Sequence, residues 1–373
     1  MASARLTRTL GTPTNRKKLT ASMWLKKSFD GSEKHFFGMG ASGGYLDFRF
    51  ASTGELELYH YNSGYQFRLT TTRKFRDINA WYHLVFAIDT TLGTADDRFK
   101  VYVNGVQETV FTNRTNPSQN YDLGANASGN TISVGNYGTN TGNSFDGQMA
   151  HFNFIDGLQL TPTSFGQTDT TTGIWKPKTA PSVTYGTNGF FLKFDNAANM
   201  GLDSGGGSNN MTTSGTIIQN KDTPSNVYAT LNPLDYSPNP ATLQNCNTSY
   251  NKSSTGSGHN ASMTGTLGVM TGKWYYEFKP TNASAFVVGM MRTNHGLPNG
   301  EGYYAADAGS YGIRADGKMV AGSESSVSGY SYSANDIFGM AYDFNNGNPV
   351  CSEIPFEEEG VSIPLGTVFG CTD

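Results

Sequence analysis

WYHLVFAIDTTLGTADDRFKVYVNGVQ, residues 81–107, reads as two strands, the second turning back on itself. In the second strand Phe99, Val101 and Val103 fall on one face, and Lys100, Tyr102 and Asn104 on the other. That period of two marks a half-buried strand. Asn104-Gly105 tolerates positive φ at both central positions, so a type I′ hairpin is the natural connection. The expectation is an antiparallel sheet protein whose function lives in its loops.

The same alternation recurs upstream. Leu46, Phe48 and Phe50 alternate with Asp47 and Arg49; Ser52-Thr53-Gly54 turns the chain; Leu56, Leu58 and His60 then alternate with Glu55, Glu57 and Tyr59. Phe67 and Leu69 continue the pattern, and further strands are expected near 131–136, 149–154 and 186–194. Many short strands separated by turn signals predict two sheets around one apolar interior. Trp24 and Trp81 are expected as its large anchors, each worth about 3–5 kcal/mol. No stretch shows sustained helical spacing; a short turn after Pro162 is the exception.

Composition agrees. The chain has 373 residues, 45 Gly, 20 Tyr and 23 Phe, and only 15% charged residues, which fits a turn-rich, aromatic-rich β protein of two domains. A net charge of -4 argues against nucleic acid as a partner, and Arg5, Arg8, Arg16, Lys17 and Lys18 read as a solvated strand edge. The opening residues lack an apolar secretory core, and the longest apolar run, 285–291, is too short to insert in a membrane. Cys246, Cys351 and Cys371 match neither a disulfide framework nor a zinc site and read as free thiols.

Residues 81–107, with Leu19 to Leu25 and Phe145 to Ala150, resemble the laminin-G-like branch of the concanavalin A-like lectins over roughly residues 1–175. A second set of motifs follows in order: Gly272-Lys273-Trp274-Tyr275-Tyr276-Glu277, then 285–290, then Asp336-Ile337-Phe338-Gly339-Met340-Ala341-Tyr342-Asp343. It is similar to the SPRY (B30.2) family, another β-sandwich that binds partners through loops. The reading is therefore all-β, with two antiparallel sandwiches: a concanavalin A-like jelly roll over 1–194, a Gly/Ser/Asn-rich linker over 195–226, a SPRY-like sandwich over 227–348, and an atypical tail over 349–373. The tail holds Glu357-Glu358-Glu359 and departs from the SPRY pattern, as replacement of the final strands would.

Catalytic signatures are weak. Glu55 and Glu57 have the spacing of a glycosidase pair, but the third acid of laminarinase-like strands is absent, and both read as a solvated strand face. Gly38 to Gly43 fits G-x-G-x-x-G but precedes a strand, not a helix, so it reads as a hairpin loop. The six histidines form no paired metal motif, and His60 and His83 read as satisfied strand residues. No cofactor is expected; the laminin-G resemblance implies at most calcium, for which Asp96, Asp97 and Asp146 are the candidates.

Surface recognition remains. Tyr supplies rigid amphipathic area that stacks on sugar C–H faces, and Asn reads hydroxyls. Loop residues of this kind are Tyr61, Asn62, Tyr65, Asn120, Tyr121, Asn136, Tyr137 and Asn140, with His295, Tyr303, Tyr304 and Tyr330 in the second domain. Finally, the opening LTRTLGTPTNRKKLTASMWLKKS and the run FNFIDGLQLTPTSFGQTD, with Ile174 to Lys178, resemble structural proteins of marine tailed bacteriophages. That resemblance implies a virion component made in the host cytoplasm. It would be a non-enzymatic tail fibre or spike whose partner is host-surface polysaccharide, or else a decoration or fibre segment touching only other virion proteins. Fibres are commonly homo-oligomers, but no coiled-coil heptads are present.

Overall fold

The computed structural model describes residues 4–28, 31–41, 44–78, 80–137 and 142–236, and then 242–244, 247–251, 263–281, 287–290, 311–315, 318–321, 324–326, 333–343, 356–358 and 361–363. Two compact units divide at Tyr228/Ala229. Among the described residues there is no α-helix, only three short 3-10 turns, one of them at Pro162–Ser164. None is long or apolar enough to cross a membrane.

The first unit contains β1 (Arg5–Thr9), β2 (Lys18–Lys27), β3 (Lys34–Ala41), β4 (Gly44–Phe50), β5 (Glu55–Tyr61), β6 (Tyr65–Lys74), β7 (Trp81–Asp89) and β8 (Phe99–Val103). It continues with β9 (Val106–Glu108), β10 (Phe111–Thr115), β11 (Thr131–Val134), β12 (Gly147–Asp156), β13 (Gly166–Thr168), β14 (Trp175–Pro177), β15 (Phe190–Leu192) and β16 (Thr212–Ser214). One sheet has eight strands in the order β10-β6-β5-β4-β3-β11-β1-β16; the other has six, β15-β12-β2-β7-β8-β9. The expected hairpin joins β8 to β9, with Asn104 at φ 50° and Gly105 at φ 83°.

The interior between the sheets is made of the predicted alternating residues. Leu46, Phe48 and Phe50 on β4, Leu56 and Leu58 on β5, Leu84, Phe86 and Ile88 on β7, and Phe99 and Val101 on β8 are fully buried in one cluster. Phenylalanines supply most of its bulk, with Phe48 and Phe86 meeting across the sheets at 4.5 Å between ring centroids. The two tryptophans stand elsewhere. On β2, Leu19, Ala21, Met23 and Leu25 face the interior, so strict alternation sends Trp24 to the opposite, outer face of the six-stranded sheet. Trp81 is also outside the interior cluster, with its indole nitrogen 3.4 Å from Asp222.

Residues 195–226, expected as a linker, lie within the first unit. β16 pairs with β1, and Met211 is buried in the core cluster. Asp203 gathers the Gly-rich turn by accepting hydrogen bonds from the backbone N–H groups of Phe191, Gly205 and Asn209. The buried Asn209 amide donates to the carbonyls of Thr187 and Gly189. Further on, the Asp222 carboxylate accepts from Lys26 Nζ at 2.8 Å and from the Tyr228 backbone. Side-chain-to-backbone hydrogen bonds hold this segment in place of an apolar period, so it carries the composition of a linker and is nonetheless packed.

The second unit's described strands are β17 (Leu231–Tyr236), β18 (Thr242–Gln244), β19 (Ser249–Asn251), β20 (Met263–Gly265), β21 (Lys273–Phe278), β22 (Val287–Met290), β23 (Tyr311–Arg314), β24 (Lys318–Ala321), β25 (Glu324–Ser326), β26 (Phe338–Asp343), β27 (Phe356–Glu358) and β28 (Val361–Ile363). All of their pairings are antiparallel: β17 with β20, β18 with β19, β21 with β26, β22 to β25 in order, and β27 with β28. Ile313 and Met340 centre a small apolar cluster with Tyr276, Phe278, Val288 and Met290. The three cysteines lie outside the described residues.

Candidate functional site

Three adjacent strands, β4, β5 and β6, place polar residues at every outward position of the eight-stranded sheet. Their register sets Tyr45 opposite Tyr61, Asp47 opposite Tyr59, Arg49 opposite Glu57, and Tyr59 opposite Arg68. Gly54 at φ 92° and the Asn62-Ser63-Gly64 turn fix that register, and the second turn sets Tyr61 opposite Tyr65.

The aromatic rings form a continuous row. Tyr137 lies 5.3 Å from Tyr45 between centroids, Tyr45 lies 5.7 Å from Tyr61, and Tyr61 lies 5.5 Å from Tyr65. Tyr59 packs edge-on against both Tyr45 and Tyr65. Tyr61 and Tyr65 are 37% and 49% exposed, whereas Tyr59 is 5% exposed, so the row presents solvent-facing rings over a buried one. Burial pushes the Tyr45 and Tyr59 phenols above their ordinary range, which leaves them as neutral hydrogen-bonding groups.

Beneath and beside the rings is a charged network. The Glu57 carboxylate receives Arg49 Nε and Nη2 on Oε2, at 2.8 and 2.6 Å, and Arg68 Nε and Nη2 on Oε1. Arg49 Nη1 also reaches Glu33 Oε2 at 3.1 Å. His35 Nδ1 meets both Asp47 oxygens, at 2.9 and 3.0 Å, and its Nε2 faces Glu33 Oε1 at 3.2 Å. Glu57 is 4% exposed and Asp47 fully buried, so the expectation of a solvated strand face at Glu57 is corrected. Guanidiniums on both neighbouring strands replace water around it. Burial alone would raise the Glu57 carboxyl, but the hydrogen bonds and charge of Arg49 and Arg68 outweigh it and hold the group below its ordinary range. Glu55, two residues away, pairs with Lys74 and with Thr53 Oγ1.

Tyr137 owes its seat to glycine. A Cβ on Gly38 would lie 2.4 Å from Tyr137 Cβ, so the loop after β11 rests directly on β3. His35 flanks the same ring at 4.7 Å. Asn136 is fully buried; its Nδ2 donates to Ser144 Oγ and its Oδ1 accepts from the Tyr137 backbone, so it shapes the turn that presents Tyr137.

Of the sequence candidates, Tyr61, Asn62, Tyr65 and Tyr137 therefore meet at one patch, with Asn136 supporting it. Tyr121 adjoins them through hydrogen bonds to Asn62 and His60 Nδ1, and Asn120 occupies the exposed turn before it, at φ 62°. Asn140, His295, Tyr303, Tyr304 and Tyr330 lie outside the described residues. Sequence reasoning about loops missed Tyr45, Tyr59 and the whole charged network, because these sit on strands. Their signal was present as complementary residue types at matching outward positions of consecutive hairpin strands.

The calcium candidates do not assemble. Asp96 pairs with Arg114 at 3.0 Å and with Asn116, and Asp97 pairs with Lys100. Asp146 accepts from Ser28 Oγ just past the Lys27 end of β2, while Asp96 and Asp97 follow the Asp89 end of β7, which pairs with Lys18. Ten strand residues separate those ends by roughly 30 Å. Among the described residues no three His, Cys, Asp or Glu side chains gather as a metal would need. These acids do not fit calcium, since cationic side chains already occupy two of them.

Residues 3–164 match the family model described as the concanavalin A-like lectin/glucanases superfamily, of laminin G type. Residues 3–164 of the first sandwich thus form a domain of the concanavalin A-like lectin/glucanase type. No curated protein matches the sequence. Among solved structures, similarity extends to a pentraxin of Limulus polyphemus at 18% identity, covering 43% of this chain and 72% of that one, TM-score 0.32. It extends to a putative carbohydrate-binding protein of Bacteroides ovatus at 16% identity, covering 60% and 61%, TM-score 0.39. A third is tailspike protein 2 of an Escherichia coli O157:H7 bacteriophage, at 10% identity, covering 43% and 22%, TM-score 0.30.

Proposed function

We propose that the first sandwich binds carbohydrate, without cleaving it, across the tyrosine row on the outer face of its eight-stranded sheet. The observation that carries this is the unbroken run Tyr137-Tyr45-Tyr61-Tyr65, with neighbouring centroids 5.3–5.7 Å apart and two of its rings open to solvent. Ring faces accept sugar C–H surfaces, and the phenol oxygens both donate to and accept from hydroxyls.

The non-catalytic part of the proposal rests on the state of the carboxylates. Glycoside hydrolysis needs one protonated acid beside one ionised carboxylate. Glu57 is clamped by two arginines and Asp47 by His35, so neither is placed to donate a proton.

A wider reading places the chain on a virion, as a tail fibre or spike contacting the host surface. The sequence resemblance of its opening and of residues 152–178 to marine phage structural proteins supports it, as does a stable sandwich offering a binding face. The second unit would then be a SPRY-like partner domain. In support, β21 and β26, which carry the first and third of the three SPRY-like motifs, pair directly, with Trp274 opposite Tyr342 and Phe278 opposite Phe338.

A glycan array probed with the full chain and with its Tyr61→Ala variant tests the binding function. Binding that weakens in the variant is expected. No sugar bound at millimolar concentration would overturn the proposal. Release of reducing ends from a bound polysaccharide, abolished by Glu57→Gln, would overturn its non-catalytic half. Mass spectrometry of purified virions tests the location.

A further inference from the structure

We infer that the tyrosine patch selects uncharged oligosaccharides and rejects acidic ones, an inference that rests on the carbohydrate-binding reading above. The patch contains two guanidiniums, and at first sight these invite a carboxylate, sulfate or phosphate. Their forks are turned inward. Arg49 commits Nε and Nη2 to Glu57 and Nη1 to Glu33, and Arg68 commits Nε and Nη2 to the other oxygen of Glu57.

One flat face of each guanidinium is covered as well. The Arg49 guanidinium carbon lies 5.1 Å from the centre of the Tyr59 ring, and that of Arg68 4.9 Å from the centre of Tyr65. Three carboxylates, Glu33, Asp47 and Glu57, thus face two arginines and His35 within one network. To gain the bidentate contact that makes a guanidinium bind anions well, an acidic sugar would have to displace Glu57 or Glu33 from an arginine it already holds, since Arg68, 34% exposed, keeps only Nη1 outside these pairs. Displacing a buried carboxylate strands its charge, and the one left in place repels the ligand. Of the three, Glu33 is the most open, at 34% side-chain exposure, and it sets a negative rim on the side of His35. A neutral sugar meets none of this: it needs only ring faces and phenol oxygens, which the row supplies.

The test compares a panel of neutral hexose oligomers with the corresponding uronic-acid oligomers, which differ by a carboxylate for a hydroxymethyl group. Titrations use the full chain at low and at physiological ionic strength. The expected result is neutral binding at least tenfold tighter than uronate binding, with the gap wider at low salt, where repulsion is less screened. Glu33→Gln, a rim change that leaves both Glu57 clamps in place, is expected to narrow the gap. Uronates bound as tightly as the neutral oligomers, with Tyr61→Ala weakening both, would overturn this selectivity while leaving carbohydrate binding at the patch intact. Neither series bound would overturn both readings together.

Discussion

On the eight-stranded sheet, His35 stands among Asp47, Glu33 and Tyr137, and the tyrosine row that starts there ends in two rings open to solvent, Tyr61 and Tyr65. On the outer face of the six-stranded sheet, His83 stands between Trp24, stacked at 4.8 Å, and Trp175, whose indole N–H donates to His83 Nδ1 at 2.9 Å. That bond leaves the proton on Nε2, which donates to Ser22 Oγ at 2.9 Å. Trp24 is 3% exposed, and Lys26 beside it is equally buried in its ion pair with Asp222. Near Val85 the same face is closed by Ile155, Phe165, Leu160 and Val183. Both faces combine histidine, aromatic rings and charges. One is sealed by later chain segments and serves stability; the other keeps its rings exposed and is the candidate for recognition.

If the two faces differ in this way, acid should act first on the sealed one. Burial pushes His83 down to about 3, with His151 adding repulsion. A histidine depressed in the folded state contributes stability fully above its unfolded value near 6.5, and loses it as pH falls towards the folded value. The expected loss between these pH values is about 4–5 kcal/mol from this group. Urea melts at stepped pH should show a slope that flattens in His83→Phe, and an unchanged slope would remove His83 from the sealed face's ledger.

The buried ion pair makes a comparable claim. Asp222→Ala leaves the Lys26 ammonium buried and unpaired, and should cost about 3–5 kcal/mol by chemical denaturation. Glycan binding per folded molecule should be unchanged. A loss below about 1 kcal/mol would mean that water already reaches that pair.

Gly38→Ala acts on the open face. The new methyl collides with Tyr137 and its backbone, and overpacking of this kind costs about 1–3 kcal/mol. Binding should weaken with it, because Tyr137 is displaced from the row; retention of full affinity would take Tyr137 out of the site. The smallest stability effect belongs to Tyr61→Ala, within about 0.5 kcal/mol at this exposed position. Its affinity loss should approach tenfold, about 1.4 kcal/mol. A Tyr61→Ala protein that melts early and binds normally would reverse the assignment of the two faces.

Much of the fold was legible because it rests on local alternation. Leu46, Phe48 and Phe50, then Leu56 and Leu58, declare their inward face by period alone, and Asn104-Gly105 declares its turn. Trp24 misled in its face and not in its depth: it is buried, but it alternates with Met23 and Leu25, and period outranks bulk in choosing the side. The segment 195–226 misled because Asp203, Asn209 and Asp222 pack by hydrogen bonds to distant backbone and side-chain groups, which leave no periodic trace. For the site, Tyr61, Tyr65 and Tyr137 could be singled out as loop aromatics. Their convergence with Tyr45 could not, since Tyr137 reaches the row only through the pairing of β11 with β3.

What the chain order alone determined is which side of each strand is apolar, since a residue's face follows from its parity and parity is written locally. Tertiary structure decided which outward face would be covered and which left open. That choice depends on where residues 160–228 come to rest, set by contacts such as Lys26–Asp222 and Trp175–His83 between groups 196 and 92 positions apart.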